Sequence, residues 1–146
     1  MVALVSVNIM SGKRHRARAL ALKVLYEIDS TDHSPEDSLS WIVKDNNTPK
    51  DGEEFARSLV FGVSSSLDEI DKVISEIAPA YPLNQIAVMD RNILRLAIWE
   101  ILFDNRVPMR AVISEAVQLA KHFGGDASPK FVNGVLGSVS LMTMRR

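Results

Sequence analysis

Five basic side chains stand within eleven residues, Lys13, Arg14, Arg16, Arg18 and Lys23, and no acid occurs between Ser11 and Lys23 in a chain whose net charge is only −1. The chemistry open to such a cluster is capture of a polyanion, since guanidinium groups grip phosphate oxygens through paired N–H donors. On a helix, Arg14 and Arg18 lie four apart and Arg16 and Lys23 seven apart, which gives two adjacent basic rows able to follow a phosphate backbone. Four or five phosphates of a single strand, at roughly 0.7 each, predict a log–log salt slope of about −3. Cations carry no sequence information, so a specific reader needs base contacts as well. In RNA-binding modules these come from stacking loosened bases on aromatic rings, worth about 1–3 kcal/mol per base. Phe123 and Phe131, which flank the break between the last two helical segments, are candidates for that use, with core packing as the alternative.

Covalent chemistry finds no comparable cluster. His15, His33 and His122 are scattered, none with a second imidazole at metal-helix spacing, and the absence of cysteine removes thiolate metal sites and disulfides. Gly124-Gly125 is a lone pair after a helical segment and not a phosphate-cradling loop. Asp68, Glu69 and Asp71 sit at a helix start, where carboxylates complement the dipole. No nucleophile, base and oxyanion stabiliser assemble. The expectation is a protein that is not an enzyme, with no cofactor, metal or catalytic residue.

The elements that position these residues are helices. Apolar residues Ala17, Leu20, Ala21, Val24, Leu25 and Ile28 follow the basic cluster at helical spacing, with Ser11 as the expected cap. Ser34-Pro35, Thr48-Pro49 and Ser128-Pro129 each pair a capping side chain with a first-turn proline. Ser66-Leu67-Asp68-Glu69 reads as a capping box. Ala78-Pro79-Ala80-Tyr81-Pro82 interrupts the pattern and is the expected joint between two helical halves. The following segment, with Ile86, Ile93, Leu94, Ala97, Ile98, Ile101 and Leu102, is apolar on two sides and is the expected central core helix. Pro108 opens the next helix, which stops at Gly124-Gly125. A last one runs from Pro129 to about Met142, with Gly134 and Gly137 read as allowing close packing. Residues 1–10 are expected to form a flexible extension and residues 11–146 a single helical domain.

At 146 residues the chain suffices for one well-buried domain. Its longest apolar run, Met1 to Val5, falls far short of the ~20 residues of a membrane span and lacks a signal-peptide leader, so the expected compartment is the cytoplasm. Charge is segregated: residues 24–77 hold thirteen acids against four basic groups, whereas residues 78–146 hold eight basic groups against five acids. Such blocks occur on ordinary solvated surfaces, but a basic helix beside an acidic middle favours a polyanion partner.

Three stretches carry a family resemblance. Arg14-His15-Arg16-Ala17-Arg18 followed by Ala21-Leu22-Lys23-Val24-Leu25-Tyr26 resembles the N-terminal signature of the NusB family of bacterial transcription antitermination factors. Asp90-Arg91-Asn92-Ile93-Leu94-Arg95-Leu96-Ala97-Ile98-Trp99-Glu100-Ile101-Leu102 is similar to that family's most buried helix. Val112 to Lys121, then Phe123-Gly124 and Lys130 to Leu136, is similar to its C-terminal hallmark. The resemblance covers residues 13 to 137 in order, with Lys23 standing where many members have glutamine. It implies an all-α fold of about seven helices, arranged as two three-helix bundles sharing a long central helix. It further implies binding of single-stranded boxA RNA in ribosomal RNA leaders, as a heterodimer with the ribosomal protein NusE, and entry into the Nus complex on RNA polymerase. By position, Arg14, Arg16 and Arg18 match the arginine-rich RNA-binding motif, flanked here by Lys13 and Lys23. Phe123, Lys130 and Phe131 match positions near the RNA, and Tyr26 and Asp90 match the NusE contact.

Two rival readings stay open at this level. A NusB-like domain also begins some ribosomal RNA cytosine methyltransferases, so a detached RNA-binding module without catalysis of its own is one; a complete methyltransferase would need a glycine-rich cofactor domain that this sequence lacks. The other is a helical scaffold whose basic helix meets an acidic protein. The sequence also leaves open a homodimer of the free chain.

Overall fold

Residues 12–144 are described by the computed structural model, and seven α-helices carry most of them. These are α1 (Lys13–Ser30), α2 (Pro35–Asp45), α3 (Lys50–Ser65), α4 (Leu67–Ile77), α5 (Val88–Trp99), α6 (Met109–Phe123) and α7 (Ser128–Met144). A 3-10 turn, Leu83–Gln85, precedes α5, and a π turn, Glu100–Asp104, follows it. The all-α expectation holds, with no strand among the described residues. The extension expected over residues 1–10, and Ser11, lie outside them.

Helix starts follow the predicted chemistry unevenly. Ser34 caps α2 as expected, its hydroxyl accepting from the Asp37 amide at 3.2 Å ahead of Pro35. The cap position of α1 falls at Gly12, whose φ of 84° suits glycine. Thr48 does not cap α3; its hydroxyl is buried without a hydrogen-bond partner. The capping box at Ser66 also fails to form. Ser66 sits at φ −116°, ψ 19°, a hinge between two nearly continuous helices, whereas a capping side chain needs extended backbone to reach its amide. Ser128 turns the other way and accepts from the Gly125 amide at 2.9 Å.

The chain divides into two compact units, and the division falls between Gly62 and Val63, inside α3. The joint expected at residues 78–82 is therefore misplaced. Pro79 and Pro82 interrupt the helices, but α4 before them and α5 after them pack together within the second unit.

In the first unit α1 packs on α2. α1 is buried without a break from Ala17 to Leu22, then again at Val24 and Leu25, so its cations are confined to the first turns and to one flank. The middle of α3 is tied to the start of α2 by Arg57, which donates to both Glu36 oxygens at 3.0 and 2.8 Å.

In the second unit α5 packs against α4, α6 and α7, and it buries Asn92 through Ile98. Ile93, Leu94, Leu96 and Ile98 are fully buried, each worth about 1.5–3 kcal/mol. The apolar helix expected from Ile86 onward is shorter than predicted, because Ile86 closes the 3-10 turn. Beyond Trp99 the hydrogen bonding widens, the Asn105 amide reaching the Glu100 carbonyl at 3.1 Å, and Asn105 ends the helix at φ 60°. Gly134 and Gly137 are exposed, and a Cβ at either would meet nothing, so neither serves close helix packing as expected.

Candidate nucleic-acid interface

Lys13, Arg14 and Arg16 occupy the first turn of α1, which contains no acid. Cations there oppose the helix dipole and surround amides that lack intrahelical acceptors, so the end of this helix is positive on two counts. Local stability does not favour that choice of residues. Lys13 has only a loose ion pair with Asp51, 3.5 Å long between two exposed side chains.

One aromatic ring organises the arginines. Phe55 of α3, itself buried, lies beneath the guanidinium groups of both Arg14 and Arg18, at 5.1 and 5.3 Å from its centroid. Such contacts hold a cation in place by attraction to the face of the ring. The two arginines differ in depth. Arg14 is exposed, whereas Arg18 is only 3% exposed. Arg18, expected from its spacing to meet phosphate, lies deeper than that spacing shows, because helical periodicity gives the face of a residue and not its depth. Arg16 is half-buried. Lys23 is partly buried, and that desolvation lowers its pKa below the ordinary 10.5, against the opposing pull of Asp45 and Glu27. Two carboxylates, Asp45 and Glu27, thus already partly counter the charge of Lys23.

In the second unit, Phe123 ends α6 and Phe131 lies in the first turn of α7, both half-exposed, with Lys130 exposed beside Phe131. The corner between them is tight for a definite reason. A Cβ on Gly124 would come within 2.5 Å of Ser128 Cβ and Oγ and 2.9 Å of the Ala120 carbonyl, so only glycine lets the chain turn there. Phe131 meets Tyr81 edge-on, centroids 5.2 Å apart, and Tyr81 is 54% exposed. The structure thus brings together Phe131, Lys130 and a ring the sequence reading did not single out; Tyr81 stood in view only as part of a proline-rich break.

Tyr26, on α1, is 42% exposed. Asp90, in the first turn of α5, has one carboxylate oxygen buried without a hydrogen-bond partner. Asp71, read with the other helix-start acids, proves to be a structural partner. Arg95 donates to its two oxygens at 2.9 and 3.0 Å and to Asn92 Oδ1 at 3.3 Å. The i,i+3 spacing of Asn92 and Arg95 was legible; the pairing to Asp71, twenty-four residues away, was not. Among the described residues no helix is long and apolar enough to cross a membrane.

Helices and surface together define an all-α protein with a basic first helix and an aromatic corner. Comparison with known proteins narrows that class. The NusB family model matches residues 15–141. A transcription antitermination protein NusB from Roseiflexus castenholzii is 45% identical over 132 residues, spanning 89% of this chain and 93% of that protein. Among solved structures, NusB of T. maritima is similar at a TM-score of 0.82 and 36% identity, over 90% of this chain and 93% of that one. A chain from a crystal structure of the antitermination factors NusB and NusE in complex with dsRNA is similar at 0.83 and 30% identity, over 91% and 99%. The chain belongs to the NusB family.

Proposed function

We propose that this chain is a transcription antitermination factor. It binds boxA RNA of ribosomal RNA leader transcripts as a heterodimer with NusE, and the RNA-bound pair joins the other Nus factors on RNA polymerase. The observation that carries the reading is the acid-free first turn of α1, with Arg14 held over Phe55. Membership of the NusB family, and likeness to a NusB solved with NusE and RNA, support the choice of partners. In this reading Lys13, Arg14, Arg16 and Lys130 meet phosphate, Phe123 and Phe131 stack on bases, and Tyr26 and Asp90 meet NusE. Arg18 holds the basic helix in place, and Lys23 contributes only at long range.

The test is a binding titration with boxA and scrambled RNA at two salt concentrations, with and without NusE. Preference for boxA that NusE strengthens and salt weakens is the expected result. Equal weak binding to both RNAs, unchanged by NusE, overturns the proposal. Asp90→Lys should impair NusE pairing more than RNA binding by the free chain, and undiminished pairing removes Asp90 from that contact.

A further inference from the structure

Within the first unit, α1, the loop that enters α3 and the first turn of α3 line an open cavity of about 190 Å³. That is below the roughly 300–1,000 Å³ of pockets that take drug-sized molecules, and suits a single ring system. Lys13 and Arg16 of α1 line it together with Asn46, Thr48, Asp51 and Gly52, and Lys13 is loosely paired with Asp51 at 3.5 Å. The loop is wound back onto the end of α2. Asn47 takes φ 48°, the Thr48 amide donates to the Val43 carbonyl at 3.2 Å, and Asn46 Nδ2 donates to the Ile42 carbonyl at 2.8 Å. The space beside α1 is left open as a result. Gly52 lines this space, and a Cβ there would press on Thr48 Cγ2 at 3.3 Å.

Two of the lining side chains are incompletely bonded. Asn46 Oδ1 and Thr48 Oγ1 are both buried without a hydrogen-bond partner. A buried polar atom left so is a standing deficit that a small loop adjustment toward a ligand donor can relieve. The lining is chemically mixed. Lys13 and Arg16 suit phosphate, whereas Asp51, Asn46 Oδ1 and Thr48 Oγ1 are acceptors, and Leu20 and Pro49 add apolar surface for a ring. A free anion is disfavoured by Asp51 and a free cation by Lys13 and Arg16. A nucleotide satisfies both halves.

We propose that this cavity receives one nucleobase of the bound single-stranded RNA. The base is one that carries an amino group, its N–H donors directed to Asp51 and the orphaned acceptors, with its phosphate on Lys13 and Arg16. The proposal rests on the RNA reading above and adds a base-reading subsite on the basic helix itself.

The experiment is a scan of boxA RNA with a single abasic site at each position in turn, bound to wild type and to Gly52→Leu in the presence of NusE. Leucine fills the cavity and is a better helix former than glycine. At one position, base removal should weaken wild-type binding about tenfold, the scale of one good base contact. Gly52→Leu should bind intact RNA equally weakly and be indifferent to base removal there. If every abasic penalty is the same in both proteins while boxA is still preferred over scrambled RNA, the cavity proposal falls and the RNA reading stands. If wild type shows no such preference, both fall. Should Gly52→Leu lose its helical circular dichroism, Asp51→Asn decides. It should shrink the penalty for replacing the base with an analogue lacking the amino group (purine for adenine, inosine for guanine), and an unchanged penalty at every position overturns the proposal.

Discussion

Replacing Phe55 with leucine removes the ring beneath Arg14 and Arg18 while keeping an apolar side chain in the core. The arginine contacts at 5.1 and 5.3 Å differ in environment, and so in worth. The contact to exposed Arg14 should contribute about 0.5–1 kcal/mol and that to desolvated Arg18 about 2 kcal/mol. The change of shape adds roughly 1 kcal/mol. The expected total is about 3–4 kcal/mol, or a fall in Tm of roughly 10 °C at about 3 °C per kcal/mol. Double-mutant cycles followed by thermal melts separate the parts, with Arg18→Met keeping the apolar stem of the side chain. Coupling between Phe55→Leu and Arg18→Met should be about 2 kcal/mol, against about 0.5–1 kcal/mol for the Arg14→Met cycle. If both cycles are additive within about 0.3 kcal/mol, the ring does not hold the arginines and the account of the basic helix is wrong.

Four further outcomes follow from the geometry. Arg16→Ala should reduce the magnitude of the log–log salt slope of RNA binding by about 0.7, one phosphate's share, and an unchanged slope places the phosphate contacts elsewhere. Asp71→Ala leaves the Arg95 guanidinium buried and charged; because Asp71 is itself one-fifth exposed, the expected loss is about 3 kcal/mol in urea unfolding, and a loss below about 1 kcal/mol refutes the pairing's structural role. Gly124→Ala should cost about 2–3 kcal/mol through overpacking against Ser128, and adding Ser128→Gly should recover part of that loss; no recovery would point to a different clash. Lys23 has a folded-state pKa below its unfolded value because burial penalises its charge, so it opposes folding while charged. That penalty is relieved as pH rises through the lowered pKa toward 10.5. Lys23→Met should therefore stabilise the protein at neutral pH, and melts of the two proteins should converge at alkaline pH; parallel stability curves across that range would remove burial as the cause.

Elements were more legible than depths or junctions. Ser34-Pro35 could be read as a helix start because its chemistry is complete within four residues. Ser66 to Glu69 carried the same signal, but the chain between α3 and α4 turns without extending, and nothing local announces that. The two basic rows on α1 were visible as spacing, yet spacing cannot say that Arg18 is covered while Arg14 is not; that depends on Phe55, more than thirty residues away. Phe123-Gly124 was legible as a helix end, and the clash that requires its glycine lies in Ser128 and could be measured only in three dimensions. Thr48-Pro49 was legible as a helix entry but the turn before it was not read, although Asn46-Asn47 is a signal for left-handed backbone, which Asn47 adopts.

The acid-free first turn of α1 has a thermodynamic side as well. Three cations crowded onto the positive end of a helix are in mutual conflict when nothing lies against them, and dissolved salt relieves that conflict by screening. The same salt weakens the attraction of these cations for a nucleic acid. Ionic strength thus pulls the free and bound forms in opposite directions, steadying the empty protein while loosening its grip. A bound polyanion doubles as the missing counter-charge, so this helix is most settled when it is occupied.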